Sequence, residues 1–214
     1  MTLNGAAPAG EQLGRKFEAA WQVFSTTCAE FLAQEASYQA WFAHYVISQF
    51  GIDRVAREAI VHIRHMPEGP WRNLLGVSEA RLDIVVSRAP GVRAVHYANQ
   101  HYKAADGTGL SALSDLAVIS ELKVSFTQAG GLGHSEVVQD AAKLAFLLQE
   151  HRRANPEAPQ PLAYLCVLDN HPRQKYRFDT LRERMVALEI PDTVRLLHAT
   201  ADPRPALDDA GEPT

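Results

Sequence analysis

The sequence has few cysteines, no long apolar run and no excess of positive charge. Its two cysteines, Cys28 and Cys166, lack the CxxC spacing of a metal knuckle, which excludes a disulfide framework and favours a reducing compartment. No stretch reaches the ~18 consecutive apolar residues of a membrane span, and the polar amino terminus lacks a basic-then-apolar leader. We therefore expect a soluble, cytoplasmic protein without a membrane partner.

The charge balance is slightly acidic, with 21 Lys and Arg residues against 25 Asp and Glu residues and a formal net charge of -4. No global positive field attracts a nucleic acid, so any such partner must bind at a local site. A length of 214 residues with 46% hydrophobic residues is enough for one full core. We predict a single domain over residues 11–200, between flexible tails at 1–10 and 201–214.

Hydrophobic periodicity predicts a mixed order of helices and strands. Apolar residues at steps of three and four between Glu11 and Gly51 predict two helices with a break near residues 25–27. The strand–helix–strand passage from residue 116 to 168 requires parallel strands. We therefore predict an α/β fold with a mixed central sheet flanked by helices. The other predicted helices cover residues 134–153 and 177–188, and the predicted strands cover 55–65, 81–87, 92–97, 116–126, 162–168 and 193–198.

Acidic residues interrupt the apolar pattern of three predicted elements. Asp83 interrupts the second strand, and Glu121 shares one face of a later strand with Lys123, about 7 Å away. Glu35 falls on the apolar stripe of the first helical region, together with Phe31. Each position taken alone has an ordinary explanation, such as a solvated edge strand, a strand end or the rim of an apolar stripe. Because buried acids are rarely left without a partner, several of them in neighbouring elements predict a cation site.

The order of these residues resembles the motif of the PD-(D/E)xK nuclease superfamily, which has a restriction-endonuclease-like fold. The resemblance covers roughly residues 30–170. Leucine stands where such families often have proline, at position 82, and the long gap before the third strand requires an inserted loop or strand at 90–112. The matching elements are Glu35 in the leading helix, Glu58 in the first strand, Arg81-Leu82-Asp83-Ile84 in the second, Glu121-Leu122-Lys123 in the third, and Gln139-Asp140-x-x-Lys143 in the following helix.

The resemblance implies a nuclease that uses Mg²⁺, with Mn²⁺ as a substitute, to hydrolyse phosphodiester bonds in DNA. Asp83 and Glu121 would bind the metal together with the backbone carbonyl of Leu122, because Mg²⁺ prefers oxygen ligands. Asp115 is a rival for the first acid, but it lies about 20 Å from Glu121 if one strand holds both residues. That distance is too long for a shared metal, which favours Asp83.

Four further site residues follow from the same resemblance. Lys123 would orient or deprotonate the attacking water and neutralise the phosphate. Glu35 would be an auxiliary acid. Gln139 and Lys143, four residues apart on one helix face, would contact the substrate backbone. An ordinary solvated helix face explains this last pair equally well.

Two other functions stay open at this point. One is a catalytically inactive nuclease-like domain that binds nucleic acid or a protein, and the other is a metal-dependent hydrolase of a small phosphoester. The glycines at 130–133 lack the GK[ST] ending of a nucleotide-binding loop. Basic residues cluster at 152–153, 173–177 and 182–184, where they form either a phosphate-binding rim or a solvated helix face. Targeting would come from a homodimer or from a protein partner.

Overall fold

The computed structural model describes residues 9–63, 66–76, 79–91, 113–128 and 130–201. The predicted strand at 92–97 and most of both predicted tails lie outside these residues. None of the helices described is long and apolar enough to cross a membrane. In chain order the elements are α1 (Ala9–Thr27), α2 (Glu35–Phe50), β1 (Val55–His62), α3 (Pro70–Leu75), β2 (Glu79–Ser87), β3 (Leu116–Val124), a 3-10 turn (Ser125–Thr127), α4 (His134–Ala154), β4 (Leu162–Asp169), α5 (Phe178–Ala187) and β5 (Val194–Thr200).

The five strands form one sheet in the order β1-β2-β3-β4-β5. β1, β2 and β3 are antiparallel neighbours, whereas β3, β4 and β5 run parallel. Each parallel connection passes through a helix, α4 or α5, because a parallel partner is reached only by a crossover. The predicted α/β class, with a mixed sheet flanked by helices, is therefore confirmed.

Two apolar layers enclose the sheet. α1 and α2 cover one face through an aromatic core, in which the ring of Phe17 stacks on that of Tyr164 with 4.6 Å between centroids. α4 covers the other face, and its buried residues Val137, Leu144 and Leu148 follow the predicted helical spacing. Because both faces are covered, a charged residue in the middle of a central strand is buried unless the layers part around it.

The regular pleat of the sheet breaks where β1 pairs with β2. Leu82 and Ile84 are two residues apart in β2, yet they pack in the cores on opposite faces of the sheet. Between their partners in β1, Glu58 has a backbone φ of 56°, in the left-handed region that non-glycine residues rarely adopt. Side chains of a regular strand alternate with a period of two. The kink therefore reverses the alternation at Asp83 and leaves Asp83 out of the regular ladder.

Some boundaries differ from the sequence predictions. β1 ends at His62, short of the predicted residue 65, and the short helix α3 is absent from the prediction. β3 ends at Val124 and continues as the 3-10 turn, in which the hydroxyl of Ser125 bonds to the chain after β4. The pattern of apolar residues alone gives no warning of such a side-chain contact, so it extends the strand too far.

The predicted apolar stripe of the first helical region is wrong between Cys28 and α2, where it is interrupted, and it resumes in α2 with the buried residues Tyr38, Phe42 and Val46. α1 ends at Thr27, and the chain up to α2 is a loop in which Phe31 is 44% exposed and Leu32 is 66% exposed. Glu35 is the first residue of α2 and is partly exposed. It therefore lies at a helix end, and not within a buried stripe.

Candidate active site

A cluster of buried charges lies between β3 and α4, in an otherwise apolar layer. Glu121 of β3 is only 2% exposed, and its Oε1 lies 2.8 Å from Nζ of Lys143 on α4. The same Nζ lies 3.0 Å from Oδ1 of Asp140, whose Oδ2 lies 3.0 Å from Nζ of Lys123. We refer to Asp83, Glu121, Lys123, Asp140 and Lys143 as the carboxylate–lysine cluster. The spacing of three residues between Asp140 and Lys143 places both on the helix face that meets β3.

Asp83 joins this cluster at the point where β2 separates from β3. The ladder between the two strands closes with the pair Ile84 and Ser120. Beyond it, Oδ2 of Asp83 accepts the backbone N–H of Leu122 at 2.8 Å, in place of a backbone carbonyl. In a strand, the N–H and C=O of one residue point to the same side, so the carbonyl of Leu122 faces the side on which Asp83 stands.

A second layer of polar residues holds Asp83 from the other face of the sheet. Nε2 of Gln39, on α2, donates to Oδ1 of Asp83 at 2.9 Å. Nη2 of Arg57 donates to Oε1 of Gln39 at 3.2 Å, which fixes the orientation of the amide. Sequence reasoning missed Gln39, although it lies four residues after Glu35 on the same helix face.

Burial raises the pKa of both strand carboxylates. The pKa of Asp83 rises from 3.8 to about 6, chiefly because of burial, while the Leu122 N–H and the charge of Lys143 oppose the rise. The pKa of Glu121 lies well above its usual value, first because of burial and then because of the negative charge of Asp83. The negative charge of Asp83 therefore disfavours a second negative charge on Glu121, as expected for carboxylates that share a small site.

The pKa of both lysines is raised by neighbouring carboxylates, although burial acts to lower it. Burial lowers the pKa of Lys123, but the carboxylate of Asp140 outweighs it, with help from Glu35, and the net pKa lies above the usual value. Burial also opposes the charged form of Lys143, yet Glu121 and Asp140 raise its pKa. Both lysines are therefore protonated near neutral pH. In this arrangement Lys123 is a hydrogen-bond donor and a positive charge for a phosphate, and not a base.

The structure brings together most of the predicted site residues and separates one. Glu35, at the start of α2, is near enough for its charge to act on Lys123. Lys143, predicted to contact the substrate backbone, is largely buried within the carboxylate–lysine cluster. Gln139 is exposed and lines a separate open pocket with Ser135 and Arg184. Gln139 and Lys143 therefore have different surroundings, although they lie one turn apart.

Asp140 is a member of the cluster that was not among the predicted site residues. It follows Val137 by three residues and precedes Leu144 by four, so it falls on the buried stripe of α4. An acid on an apolar stripe is the signal that identified Asp83 and Glu121, and the same signal was present here.

The donor chemistry of the cluster fits a hard divalent cation. Asp83, Glu121 and the Leu122 carbonyl offer oxygen ligands of the type that Mg²⁺ prefers. With Glu35 and Asp140, four carboxylates face two ammonium groups, a formal excess of two negative charges. Among the residues that the structure describes, however, no group of three or more His, Cys, Asp or Glu side chains is arranged as a metal site.

Neither cysteine contributes a reactive group. Cys28 and Cys166 are buried free thiols. Burial raises the pKa of Cys166 well above its usual value, and the charges of Asp83 and Glu121 raise it further. A thiol that stays protonated is a poor nucleophile and a poor metal ligand.

The chain matches no protein-family model, no curated protein and no solved structure. Its function therefore has to be inferred from its own residues. The carboxylate–lysine cluster is the strongest candidate for a functional site in the described structure. Burying charges costs free energy, and strongly shifted pKa values are typical of functional sites.

Proposed function

We propose that the protein is a Mg²⁺-dependent nuclease that hydrolyses phosphodiester bonds in DNA. One observation carries this proposal, the carboxylate–lysine cluster buried between β3 and α4. Replacing buried ion pairs by apolar residues is often neutral or stabilising, so stability alone gives little reason to keep five charges there. Shifted pKa values in such a cluster are typical of functional sites.

Asp83, Glu121 and Lys123 have defined tasks in this proposal. Asp83, Glu121 and the Leu122 carbonyl would hold Mg²⁺, which when bound acidifies water and stabilises negative charge on the phosphate. Lys123, protonated beside Asp140, donates to a phosphate oxygen and orients the attacking water. Glu35 supports the charge of Lys123 from the start of α2.

Gln39 and Arg57 are positioning residues in this proposal. Their hydrogen bonds leave Asp83 little freedom to rotate, so its outer lone pairs keep a fixed direction. A cytoplasmic location is part of the same proposal, since both cysteines are free thiols, as expected in a reducing compartment.

One observation favours a second candidate, a nuclease-like domain that binds nucleic acid or a protein without cleaving it. The ammonium of Lys143 already lies between Glu121 and Asp140, at 2.8 Å and 3.0 Å. A lysine at this place neutralises the carboxylates without a metal. In this alternative the cluster is a permanent ion network, and Mg²⁺ has no measurable affinity for it.

An assay on purified protein separates the two candidates. Linear, nicked and single-stranded DNA, with RNA in parallel, are incubated with Mg²⁺ or Mn²⁺, and metal binding is measured by titration calorimetry. The nuclease proposal expects metal binding and cleavage that falls about 10²- to 10⁴-fold in Lys123→Ala. Lys16→Ala, on α1 at the opposite face of the sheet from α4, is the matched control and is expected to cleave normally. Cleavage that Lys123→Ala leaves unchanged contradicts the assignment, and absent metal binding favours the second candidate.

A further inference from the structure

Positive charge is concentrated in one short stretch of this acidic chain. Residues 171–184 hold five basic residues and two acidic ones, whereas the whole chain has a formal net charge of -4. All five basic side chains are exposed. We refer to this stretch, which comprises the loop after β4 and the first part of α5, as the basic segment. Its basic residues are Arg173, Lys175, Arg177, Arg182 and Arg184.

Most of these charges have no acidic partner in the part of the chain that the structure describes. Arg182 pairs with Asp179 at 3.0 Å. Nζ of Lys175 donates to the backbone carbonyl of Ala201, a neutral group. Within the described residues, the side chains of Arg173 and Arg177 make neither an ion pair nor a hydrogen bond. A surface of unpaired cations is free to pair with an external anion without first breaking internal contacts.

The fold holds the basic segment beside the carboxylate–lysine cluster, at the carboxyl ends of the parallel strands β3 and β4. Oγ of Ser125, two residues after Lys123, accepts the backbone N–H groups of Asn170 at 2.8 Å and of His171 at 2.7 Å. Nδ1 of His171 in turn accepts the N–H groups of the two residues after Pro172, at 3.1 Å and 2.9 Å. The loop is thus anchored directly to the end of β3, beside the proposed catalytic lysine.

A stacked pair of rings fixes the other end of this loop. The ring of Tyr176 stacks on that of His134, the first residue of α4, with 4.5 Å between centroids. Asp140 lies six residues further along α4, which at 1.5 Å per residue is about 9 Å. Phosphates that flank a scissile bond held at the cluster would lie within reach of the long side chains of Arg173 and Arg177, given this spacing.

We propose that the basic segment is the surface on which this protein binds the sugar–phosphate backbone of its nucleic acid, an inference that rests on the proposed nuclease function. The acidic remainder of the chain repels a polyanion, so the segment orients the strand towards the cluster. Arg173 and Arg177 are the phosphate contacts, because they are exposed, have no partner among the described residues and are located on the anchored loop.

The test measures binding separately from cleavage. Fluorescence anisotropy with a short labelled duplex, a matching single strand and a matching RNA is recorded in EDTA, between about 50 and 200 mM salt. For duplex DNA, Arg173→Gln with Arg177→Gln is expected to reduce affinity about 10- to 60-fold and to make the slope of log affinity against log salt shallower by about 2. The charge-retaining pair Arg173→Lys with Arg177→Lys is expected to keep most of the slope.

A matched control removes two arginines near the amino end of β4, the opposite end of the parallel strands. Arg15 on α1 is exposed and adjoins Gly14, which lies against Leu162 at the start of β4, and Arg152 near the end of α4 contacts Gln160. Arg15→Gln with Arg152→Gln changes the net charge equally and is expected to alter affinity less than about 2-fold. An equal loss in both double variants would show a general charge effect and overturn the proposal.

Two other results would also overturn it. One is an unchanged salt slope in Arg173→Gln with Arg177→Gln, and the other is binding to vesicles of anionic lipid without binding to any of the three nucleic acids. Loss of cleavage activity does not enter this measurement. A protein that binds DNA through the basic segment but never cleaves it refutes the proposed nuclease function while it supports this inference.

Discussion

Two buried polar clusters lie within a few residues of each other along β3, and they are built in opposite ways. The carboxylate–lysine cluster consists of ionisable side chains. Oε1 of Glu121 and Oδ2 of Asp140 form ion pairs with lysines, but these contacts lack the geometry of hydrogen bonds. The second cluster, which we call the serine–amide network, consists of Ser125, Asp169 and Asn170. Each of these side chains is at most 7% exposed.

The serine–amide network is closed by directed hydrogen bonds. The hydroxyl of Ser125 donates to Oδ1 of Asp169 at 3.0 Å, and Oδ2 of Asp169 accepts the N–H of Tyr176 at 2.9 Å. Oδ1 of Asn170 accepts the N–H of Phe126, and its Nδ2 donates to the hydroxyl of Tyr38 at 2.9 Å. A network with every member satisfied stabilises and rigidifies a fold.

The difference between the two clusters shows which one is explained by stability. The serine–amide network joins the ends of β3 and β4, and it needs no further partner. The carboxylate–lysine cluster keeps carboxylates whose pKa is raised by burial even though two lysines lie beside them, an arrangement that costs free energy. We therefore assign the first cluster to the architecture and the second to the proposed chemistry.

The largest expected effect contrasts one aspartate from each cluster. Asp83→Asn keeps one oxygen for the Leu122 N–H but loses its charge and places an amide N–H against Nε2 of Gln39, so cleavage is expected to fall about 10²- to 10⁴-fold and the unfolding free energy by about 1–3 kcal/mol. Asp169→Asn places an amide N–H against one of two donors, the Ser125 hydroxyl or the Tyr176 N–H, and is expected to cost about 1–3 kcal/mol of unfolding free energy. Cleavage rates and urea denaturation, measured on both variants, check the contrast. Equal losses of activity at a temperature where both variants are folded would contradict it.

The next effect comes from removing the charge that balances the strand acid. Lys143→Met leaves Glu121 and Asp140 without their shared ammonium and is expected to cost about 3 kcal/mol of unfolding free energy near neutral pH. The cost should shrink as the pH is lowered, because Glu121, whose pKa is raised by burial, takes up a proton and loses its charge. Lys175→Met, at an exposed position, is the control, with a change within about 0.5 kcal/mol. A pH-independent loss in Lys143→Met would show that charge is not the cause.

A third variant measures how much the serine–amide network contributes. Ser125→Ala removes one donated and two accepted hydrogen bonds, so we expect a loss of about 3 kcal/mol in urea denaturation. Ser120→Ala is the matched control, because within the described residues its buried hydroxyl makes a single hydrogen bond, to the carbonyl of Ile84. A loss of about 1 kcal/mol is expected there. Similar losses in the two variants would mean that the network adds nothing beyond one bond.

The sequence predicts the strand acids because each one breaks a local apolar pattern. Asp83 and Glu121 stand among residues that are buried on both faces of the sheet, and element order relates them to each other. The mixed sheet follows from the same patterns, since a strand–helix–strand passage requires a parallel pair. Local pattern is therefore sufficient for the strands and for the acids within them.

Contacts across elements are not predictable in this way. Whether Lys143 points to solvent or to Glu121 depends on the rotation of α4 against β3, which no residue spacing within one element determines. The kink at Glu58 depends on a pairing irregularity between two strands, and Gln39 reaches Asp83 from a different element, α2. Tertiary packing decides these features, so they became visible only in the structure.

The smallest expected effect is the pH dependence that Asp83 gives to stability. Its pKa is about 6 in the folded protein and close to 3.8 in the unfolded chain. Between these values the folded protein binds more protons, so the free energy of unfolding falls as the pH rises from about 4 to 6. A shift of this size corresponds to about 2 kcal/mol after allowance for partial exposure. Asp83→Asn should remove this part of the slope, whereas Asp179→Asn, at a 93% exposed side chain, should not.

The effect of added Mg²⁺ on this pH dependence distinguishes the two proposed functions. If the carboxylate–lysine cluster binds the ion, metal and proton compete for Asp83, and the window of falling stability moves to lower pH as Mg²⁺ is added. If Lys143 neutralises the cluster permanently, the window stays where it is at any Mg²⁺ concentration. Thermal denaturation of the wild type over this pH range, with and without Mg²⁺ and beside Asp83→Asn, measures the shift. Because this readout needs no substrate, an immobile window argues against the nuclease even if the true substrate has not been found.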